Sequence, residues 1–226
     1  MKATAVIPAA GLGKRFGAQK QFQLLAGRPV LAHTLQAFEQ SPSVTTVCVV
    51  VPEDEILAVR EIIKTYSLKK ALHVVAGGRE RQDSVRLGFE AVEPCDIIVV
   101  HDGVRPLVTV EVIEKTIQGA LEFSGCVAAL PVKETTKRVS AEGFIQETVN
   151  RSDLWSMQTP QAFQYEIFRK AILQSVQDDF LGTDEAMLVE RTGRKIKVVV
   201  GDPINIKITT PEDIGVAESL LKLRSS

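Results

Sequence analysis

The chain has little cysteine, no long apolar run and almost no net charge, and each shortage excludes a class of protein. Cys48, Cys95 and Cys126 are the only cysteines among 226 residues, and they lie far apart in apolar segments. This odd number favours reduced core thiols over a disulfide framework or a zinc site. No apolar run approaches the roughly 18 residues of a membrane span. We therefore expect a soluble, unexported protein of the cytoplasm.

The formal net charge is −1, and 45% of the residues are hydrophobic. A near-neutral chain has no electrostatic footprint for nucleic acid, so any positive charge that matters must be local. Such a length and composition suit one well-packed core, and we expect a single domain over residues 1–226. The candidate local cations are Arg15, Lys20, Arg105, Arg151 and Lys207.

The two best-known phosphate-binding loops are also absent. Residues Pro8–Gly17 follow the apolar run Thr4–Ile7, but their glycine spacing fits neither the Walker pattern nor the dinucleotide fingerprint. Small residues at the end of a buried strand still let a phosphate chain approach the backbone, and Arg15 and Lys20 can neutralise it. The segment therefore predicts a nucleoside triphosphate site.

Apolar runs alternate with segments of helical period along most of the chain. The runs are Thr4–Pro8, Val44–Pro52, Ala71–Ala76, Asp96–His101 and Cys126–Pro131. Apolar faces predict helices around residues 31–38, 56–63 and 112–121, and a cap-like Thr210-Pro211 predicts a terminal helix over 214–223. This pattern is typical of an open α/β fold with a mostly parallel sheet.

The alternation stops at Lys133–Asn150, a polar segment that turns around residues 141–143. It predicts a β-hairpin arm over about residues 133–150. An isolated hairpin is marginal in water, so the apolar side chains of Val139, Phe144, Ile145 and Val149 need a surface to pack on. A second copy of the chain is the simplest one, and we expect a homodimer.

In open parallel sheets, ligands lie beyond the carboxyl ends of the strands. Three loops at such ends, Ala9–Lys20, Gly77–Ser84 and His101–Pro106, should therefore converge on one cleft. Asp102 is a candidate Mg²⁺ ligand there, or else it caps a turn and pairs with Arg105. His101 is more typical of a packed histidine than of a catalytic one.

Other positions in these loops allow two interpretations. Gly77-Gly78 can be a turn or can present a base-reading backbone, and Gln82-Asp83-Ser84 can help to read a base edge. Lys207, within a predicted strand Asn205–Thr209, binds phosphate if it faces the cleft and is an ordinary surface charge if it does not. Arg79 and Arg81 receive no role.

Taken in order, these motifs resemble the 2-C-methyl-D-erythritol 4-phosphate cytidylyltransferases, a Rossmann-like family of the nucleotidyltransferase superfamily. The motifs are Pro8-Ala9-Ala10-Gly11 with Gly13 and Arg15, Lys20-Gln21, Gly77-Gly78, Asp83-Ser84-Val85, His101-Asp102 with Arg105-Pro106, Arg151, Leu154-Trp155, Thr159-Pro160-Gln161, Thr183-Asp184-Glu185 and Asn205-Ile206-Lys207. The glycine-rich opening marks only the superfamily, whereas the ordered set is more specific.

The resemblance implies Mg²⁺-dependent transfer of a cytidylyl group from CTP to 2-C-methyl-D-erythritol 4-phosphate, with release of pyrophosphate, and it implies an arm that reaches a neighbouring subunit's site. It assigns catalysis to Arg15, Lys20, Arg151 and Lys207, and Mg²⁺ to Asp102. It assigns CTP binding to Ala9, Ala10, Gly11, Gly13, Arg15, Lys20, Gly78, Ser84 and Gly103. It assigns binding of the acceptor substrate to Arg105, Thr135, Arg151, Thr159, Thr183 and Lys207.

Two alternatives stay open at this stage. A cytidylyltransferase for another polyol phosphate, such as ribitol 5-phosphate, shares the triphosphate site and differs only in its acceptor pocket. A non-catalytic nucleotide-binding module is the other alternative, but it would not need a second group of phosphate-binding cations. A second metal ligand is also undecided, with Asp202 the nearest carboxylate to the Asn205 motif.

Overall fold

A computed structural model describes residues 1–11, 16–17 and 19–225 of the chain. The strands are β1 Ala3–Pro8, β2 Leu24–Leu25, β3 Arg28–Pro29, β4 Val44–Val51, β5 Ala71–Ala76, β6 Ile97–Val100, β7 Gly125–Pro131, β8 Thr136–Val139, β9 Ile145–Val149, β10 Trp155–Gln164 and β11 Lys197–Val200. The α-helices are α1 Val30–Gln40, α2 Ile56–Thr65, α3 Arg81–Glu90, α4 Val110–Glu122, α5 Tyr165–Gln177, α6 Glu185–Glu190 and α7 Glu212–Ser225. Short 3₁₀ turns lie at Lys20–Phe22 and Glu53–Glu55.

The central sheet has seven strands in the order β11-β7-β10-β6-β1-β4-β5. Strand β1 runs parallel to β4 and β6, with Val6 opposite both Cys48 and Val100. Strand β4 is likewise parallel to β5, and β7 to β11. Only β10, between β6 and β7, is antiparallel to its neighbours in this sheet. The predicted α/β fold with a mostly parallel sheet is confirmed.

Helices cover both faces of the sheet. Because successive strand residues point to opposite faces, Ala5 and Ile7 pack in the apolar cluster that includes Leu35 of α1 and Ile113 of α4. Val6 instead packs in the cluster that includes Val85 of α3 and Phe168 of α5. Burial on both faces explains why the strands are continuously apolar rather than alternating.

The five strands predicted from apolar runs and the predicted helices α1, α2, α4 and α7 are confirmed to within a few residues. The segment from Gln82 to Ser84, interpreted as part of a loop, instead lies in the first turn of α3. A capping box starts this helix, in which the Glu80 and Asp83 side chains each bind the other residue's backbone N–H. Helices α5 and α6 and strands β2, β3, β10 and β11 were not predicted from the sequence.

The prediction of a strand over Asn205–Thr209 was wrong. These residues belong to no strand of the sheet, and Ile208 N donates one hydrogen bond of 2.9 Å to the carbonyl of Val104. Alternation of polar and apolar residues was the reason for the prediction. In the structure this alternation has another cause: the Ile208 side chain is buried in the core, and the Lys207 side chain extends toward the cleft.

The predicted hairpin forms, with β8 antiparallel to β9 and Gly143 at φ +88° in the connecting turn. A positive φ suits glycine, which has no Cβ to clash with the backbone. Phe144 and Ile145 are 74% and 66% exposed, so their apolar surface is not covered within one chain. All three cysteines are free. No helix in the described ranges is long and apolar enough to cross a membrane.

Candidate active site

A cleft opens at the carboxyl edge of the parallel strands. Its lining residues come from the loops after β1, β5 and β6 and from the segment before α7: Pro8, Ala9, Ala10, Gly11, Lys20, Gln21, Gly78, Arg79, Glu80, Arg81, Ser84, Asp102, Val104 and Lys207. The predicted convergence of the three loops is confirmed. The candidate residues Gly13 and Arg15 lie outside the described residues.

Asp102 lies at the centre of this cleft and contacts three cationic side chains. Its Oδ2 is 2.9 Å from Lys207 Nζ and 3.4 Å from Arg105 Nε, and its Oδ1 is 3.0 Å from Arg81 Nε. The pairing with Arg105 expected of a turn-capping aspartate is therefore present, but two further cations join it. Lys207 faces the cleft, as its phosphate-binding interpretation requires.

The three cations keep the Asp102 carboxylate ionised. Burial by itself raises the pKa of this carboxyl, because a charged group is poorly solvated there. The positive charges of Arg81, Lys207 and Arg105 outweigh burial and hold the pKa well below its ordinary value. The cleft therefore presents a fixed negative charge surrounded by positive ones, which suits the binding of a polyanion.

Arg81, which received no role from the sequence, links Asp102 to a second buried carboxylate. Its Nη1 lies 2.6 Å from Oε1 of Glu185, and Glu185 is 1% exposed. Burial raises the pKa of Glu185, although the charge of Arg81 acts in the opposite direction. The capping box at Glu80 and Asp83 is the signal that could have found Arg81, because it places Arg81 inside the helix start and Arg79 outside it.

His101 is a packed side chain and not part of the cleft lining. It is completely buried, and burial lowers its pKa to about 3, so the ring is neutral. Its Nδ1 lies 3.0 Å from Thr159 Oγ1, and its Nε2 lies 3.3 Å from the carbonyl of Arg105. Thr159 Oγ1 also accepts a 3.0 Å hydrogen bond from Asp102 N. His101 and Thr159 thus position the backbone at Asp102.

The turn before Lys207 is held by β10. Asn205 Nδ2 donates 2.8 Å to the carbonyl of Thr159, and Arg105 Nη1 donates 2.8 Å to the carbonyl of Asn205. Gln158 Nε2 donates 3.0 Å to the carbonyl of Asp202, whose own Oδ1 accepts from Ile204 N. These bonds fix the approach of Lys207 to Asp102. They also anchor Asp202, which does not line the cleft.

Backbone segments pack closely around Gly78 and Gly103, two positions at which the resemblance implies CTP binding. Gly78 N donates 3.2 Å to Ser84 Oγ, which in turn donates 3.2 Å to the carbonyl of Glu80. A Cβ on Gly78 would lie 2.3 Å from Asp83 Cβ, and one on Gly103 would lie 2.9 Å from Ala9 Cβ. No real Cβ contacts are this short, so both positions require glycine in this packing.

Of the six predicted acceptor residues, Lys207 alone lines the cleft, while Arg105 and Thr159 contact Asp102 from outside the lining. Thr135 and Arg151 lie in and beside the arm, and both are exposed. The Arg151 guanidinium donates to the carbonyl of Lys133, which joins the two ends of the arm. Thr183 is also exposed, just before α6. One chain therefore brings Lys207 together with six of the predicted CTP residues, namely Ala9, Ala10, Gly11, Lys20, Gly78 and Ser84, but leaves Arg151, Thr135 and Thr183 outside the cleft lining.

The cleft suits a metal ion that is bound mainly by phosphate oxygens of a substrate and by few protein ligands. No cluster of three or more His, Cys, Asp or Glu residues suited to a metal occurs within the described ranges. Mg²⁺ commonly uses one or two carboxylates and completes its octahedral shell with water and phosphate oxygens. Asp102, at a strand end and ionised, provides one such carboxylate.

The chain is similar over nearly its full length to a family with a known activity. The model of the IspD family, 2-C-methyl-D-erythritol 4-phosphate cytidylyltransferase, matches residues 3–223. A protein of that description from Geobacter metallireducens is 48% identical, with 98% of each chain covered. Another from Geotalea uraniireducens is 46% identical, covering 98% of this chain and 97% of that one.

Solved structures agree with the sequence relatives. The 4-diphosphocytidyl-2C-methyl-D-erythritol synthase of Anaerococcus prevotii superposes with a TM-score of 0.87 at 31% identity, covering 97% of this chain and 96% of that one. The 2-C-methyl-D-erythritol 4-phosphate cytidylyltransferase of Thermus thermophilus gives 0.81 at 30% identity, covering 98% and 100%. This chain belongs to the 2-C-methyl-D-erythritol 4-phosphate cytidylyltransferase family.

Proposed function

We propose that the cleft transfers the cytidylyl group of CTP to 2-C-methyl-D-erythritol 4-phosphate, giving 4-diphosphocytidyl-2-C-methyl-D-erythritol and pyrophosphate on the route to isoprenoid precursors. The observation that carries this proposal is the placement of Lys207, Arg105 and Arg81 around Asp102, beside the small residues of Pro8–Gly11. Such a site can neutralise two phosphorylated substrates at once. Family membership supplies the identity of the substrates.

The reaction needs positioning and charge neutralisation more than proton transfer. A phosphate monoester has its second pKa near ~6, so the acceptor is largely a dianion at neutral pH. One of its oxygens attacks the α-phosphorus of CTP, and the bond from that phosphorus to the bridging oxygen of pyrophosphate breaks. No general base is required. The burial of His101, whose pKa falls to about 3, agrees with this chemistry.

The cations divide between the two substrates. Lys20, in the cleft lining, and Arg15 stabilise charge on the α-phosphate and on the departing pyrophosphate. Lys207 binds the acceptor phosphate and aims its oxygen at the α-phosphorus, with Arg105, Thr159 and Thr183 as helpers. Arg105 and Thr159 act indirectly. Thr159 accepts a hydrogen bond from the backbone N–H of Asp102, and Arg105 donates one to the carbonyl of Asn205, so both fix the backbone beside the cleft.

Mg²⁺ is the proposed metal, and Asp102 would hold it together with triphosphate oxygens. When bound, the metal supplies positive charge and a template for the triphosphate. If Asp102 turns to the metal, Arg81 keeps Glu185 as a carboxylate partner at 2.6 Å.

The base is read by backbone and small side chains. Ala9, Ala10 and Gly11 follow β1, Gly78 and Ser84 line the cleft with them, and Gly103 packs closely against Ala9. In this proposal the pocket between these segments is small and too tight for a purine. Hydrogen bonds that only the correct base can make contribute several kcal/mol, on the order of 3 or more, to discrimination between bases.

A homodimer completes the acceptor site in this proposal. Residues 1–226 form one nucleotidyltransferase domain, and the arm over about 133–150 packs on a second copy through Phe144 and Ile145. Arg151 and Thr135, which are exposed in one chain, then reach the partner's cleft. The three free cysteines support a cytoplasmic location, where thiols stay reduced.

Pyrophosphate release tests the proposal. The assay contains CTP, Mg²⁺ and 2-C-methyl-D-erythritol 4-phosphate, and parallel reactions contain ribitol 5-phosphate, D-erythritol 4-phosphate, or ATP and UTP in place of CTP. Preferential turnover of CTP with the methylerythritol substrate is the expected result. Turnover with ribitol 5-phosphate alone would reassign the acceptor, and no turnover in any combination would leave a binding module.

A further inference from the structure

Two adjacent side chains of the first turn of α3 reach the segment Phe180–Glu185, which connects α5 to α6. Gln82 Oε1 accepts a 2.8 Å hydrogen bond from Gly182 N, and Gln82 Nε2 donates 2.9 Å to the carbonyl of Phe180. The same amide lies 3.3 Å from Ser175 Oγ. Arg81 contacts Glu185 at the other end of the segment.

The segment has little regular structure of its own. Residues 180–184 lie in neither helix nor strand, so their backbone groups need partners from elsewhere in the fold. The Gln82 amide supplies a donor and an acceptor at once. A Cβ on Gly182 would lie 2.8 Å from Leu188 Cδ2 and 3.6 Å from Gln82 Oε1, so the segment is packed closely against both neighbours.

This contact links the part of α3 that lines the cleft to the segment that carries Thr183. The first turn of α3 also carries Ser84, whose hydroxyl binds Gly78 beside the base pocket. On the other side, Thr183 directly follows Gly182 and belongs to the predicted acceptor residues. A side chain that joins these two elements sets the distance between nucleotide and acceptor.

We propose that Gln82 is a positioning residue for the acceptor, which holds Phe180–Glu185 against α3 so that Thr183 stays in place for the second substrate. The Arg81–Glu185 pair is the second attachment of the same segment. This inference rests on the proposed function, because it assumes that the acceptor binds beside Thr183. Gln82 itself does not line the cleft, so it acts through the segment and not on the reacting atoms.

The test uses Gln82→Met in the full-length protein. Methionine keeps the length of the side chain and removes its hydrogen bonds to the segment. We expect the KM for 2-C-methyl-D-erythritol 4-phosphate to rise about tenfold, with kcat and the KM for CTP changed less than about twofold. The matched control is Gln174→Met on α5, an exposed glutamine whose side chain donates to Asp178 just after the helix. It should leave all three constants unchanged.

Hydrogen–deuterium exchange gives a readout that does not depend on turnover. The backbone amide of Gly182 should exchange faster in Gln82→Met than in the unaltered protein or in Gln174→Met. Gln82→Glu is a second variant in case the first unfolds. It keeps an acceptor for Gly182 N but places a carboxylate against the carbonyl of Phe180, so it should also raise the acceptor KM.

The outcomes separate this inference from the proposed function. Turnover by the unaltered enzyme tests the proposed function alone. An unchanged acceptor KM in Gln82→Met, or equal increases in the KM of both substrates, would overturn the positioning role even if turnover is normal. Unchanged exchange at Gly182 would overturn it as well, because the segment would then not depend on Gln82.

Discussion

Lys207 Nζ lies 2.9 Å from Asp102 Oδ2, although the two residues are far apart in the chain. The lysine comes from an irregular segment before α7, and the aspartate from the loop after β6. Their meeting brings the proposed acceptor-binding cation to the proposed metal ligand.

Lys207→Ala should weaken use of the acceptor more than use of CTP. Removing a cation that binds only the acceptor phosphate costs on the order of 10²–10³ in kcat/KM for that substrate. Steady-state kinetics with each substrate varied in turn measures the effect. Lys197→Ala, at an exposed lysine of β11, is the control and should show no change. Equal losses for both substrates would contradict the proposed division of the site.

Asp102→Asn should lower both activity and stability. The variant leaves Arg81, Arg105 and Lys207 close together without their shared counter-charge, which should cost about 1–3 kcal/mol of unfolding free energy. Denaturant unfolding measures this loss, and half-maximal turnover should require a higher Mg²⁺ concentration because a metal ligand is lost. Asp178→Asn is the control, because its pair with Arg191 lies at the surface and is worth about 0–1 kcal/mol. Equal stability losses in the two variants would argue against the three-cation arrangement.

Gly78→Ala should damage the base pocket. The added Cβ would lie 2.3 Å from Asp83 Cβ, so the start of α3 must shift, at a cost of about 1–3 kcal/mol. We expect a higher KM for CTP, with a smaller effect on the acceptor KM, measured by the same kinetics. Gly215→Ala is the control: the space around Gly215 in α7 is open, and alanine there should stabilise the helix by up to about 1 kcal/mol. A CTP KM unchanged by Gly78→Ala would remove Gly78 from the nucleotide site.

Ile145→Asp should convert a dimer to a monomer without unfolding the chain. Ile145 is 66% exposed in one chain, so a charge there costs little in the monomer but prevents apolar packing on a second copy. Sedimentation equilibrium measures the mass, and activity should fall with dimer loss if Arg151 acts in the partner's cleft. Leu57→Asp, at a 73% exposed site on α2, is the matched control and should remain dimeric. A monomeric unaltered protein would refute the proposed assembly.

Stability should fall as the pH drops below the pKa of a free histidine, in part through His33. Burial lowers the pKa of His33 below its ordinary value of 6.5, while its hydrogen bond to the carbonyl of Leu25 opposes this shift. Below pH 6.5 the unfolded chain therefore binds more protons at this ring than the folded chain does. The stability contribution is complete above that pH and is lost as the pH falls toward the folded pKa.

Denaturant unfolding at about pH 7.5 and about pH 5.5 measures the loss between these values. His33→Gln removes the titrating ring and should show a smaller loss than the unaltered protein. NMR titration of the His33 ring gives its folded pKa directly. A value at or above 6.5 would contradict the prediction.

Much of the fold could be predicted because its signals are local. Runs such as Ile97–Val100 are apolar throughout since both faces of the sheet are covered, and helices such as α4 show one apolar face. Strand β10 escaped detection because Gln158, Thr159 and Gln161 are polar, and Pro160 suggested a turn. These residues are nevertheless buried, since His101, Asn205 and Asp184 provide them with hydrogen-bond partners.

The sequence by itself determined the α/β alternation, the hairpin arm and the set of loops that carry polar residues at strand ends. Each of these depends on residue types that are close together in the chain. Only the tertiary structure decided that Arg81 joins Asp102 to Glu185, that Gln82 holds the segment before α6, and that Lys207 turns inward from a segment that is not a strand. The physical reason is that an ion pair or hydrogen bond depends on distance in space, and sheet order and helix packing set that distance between residues far apart in sequence.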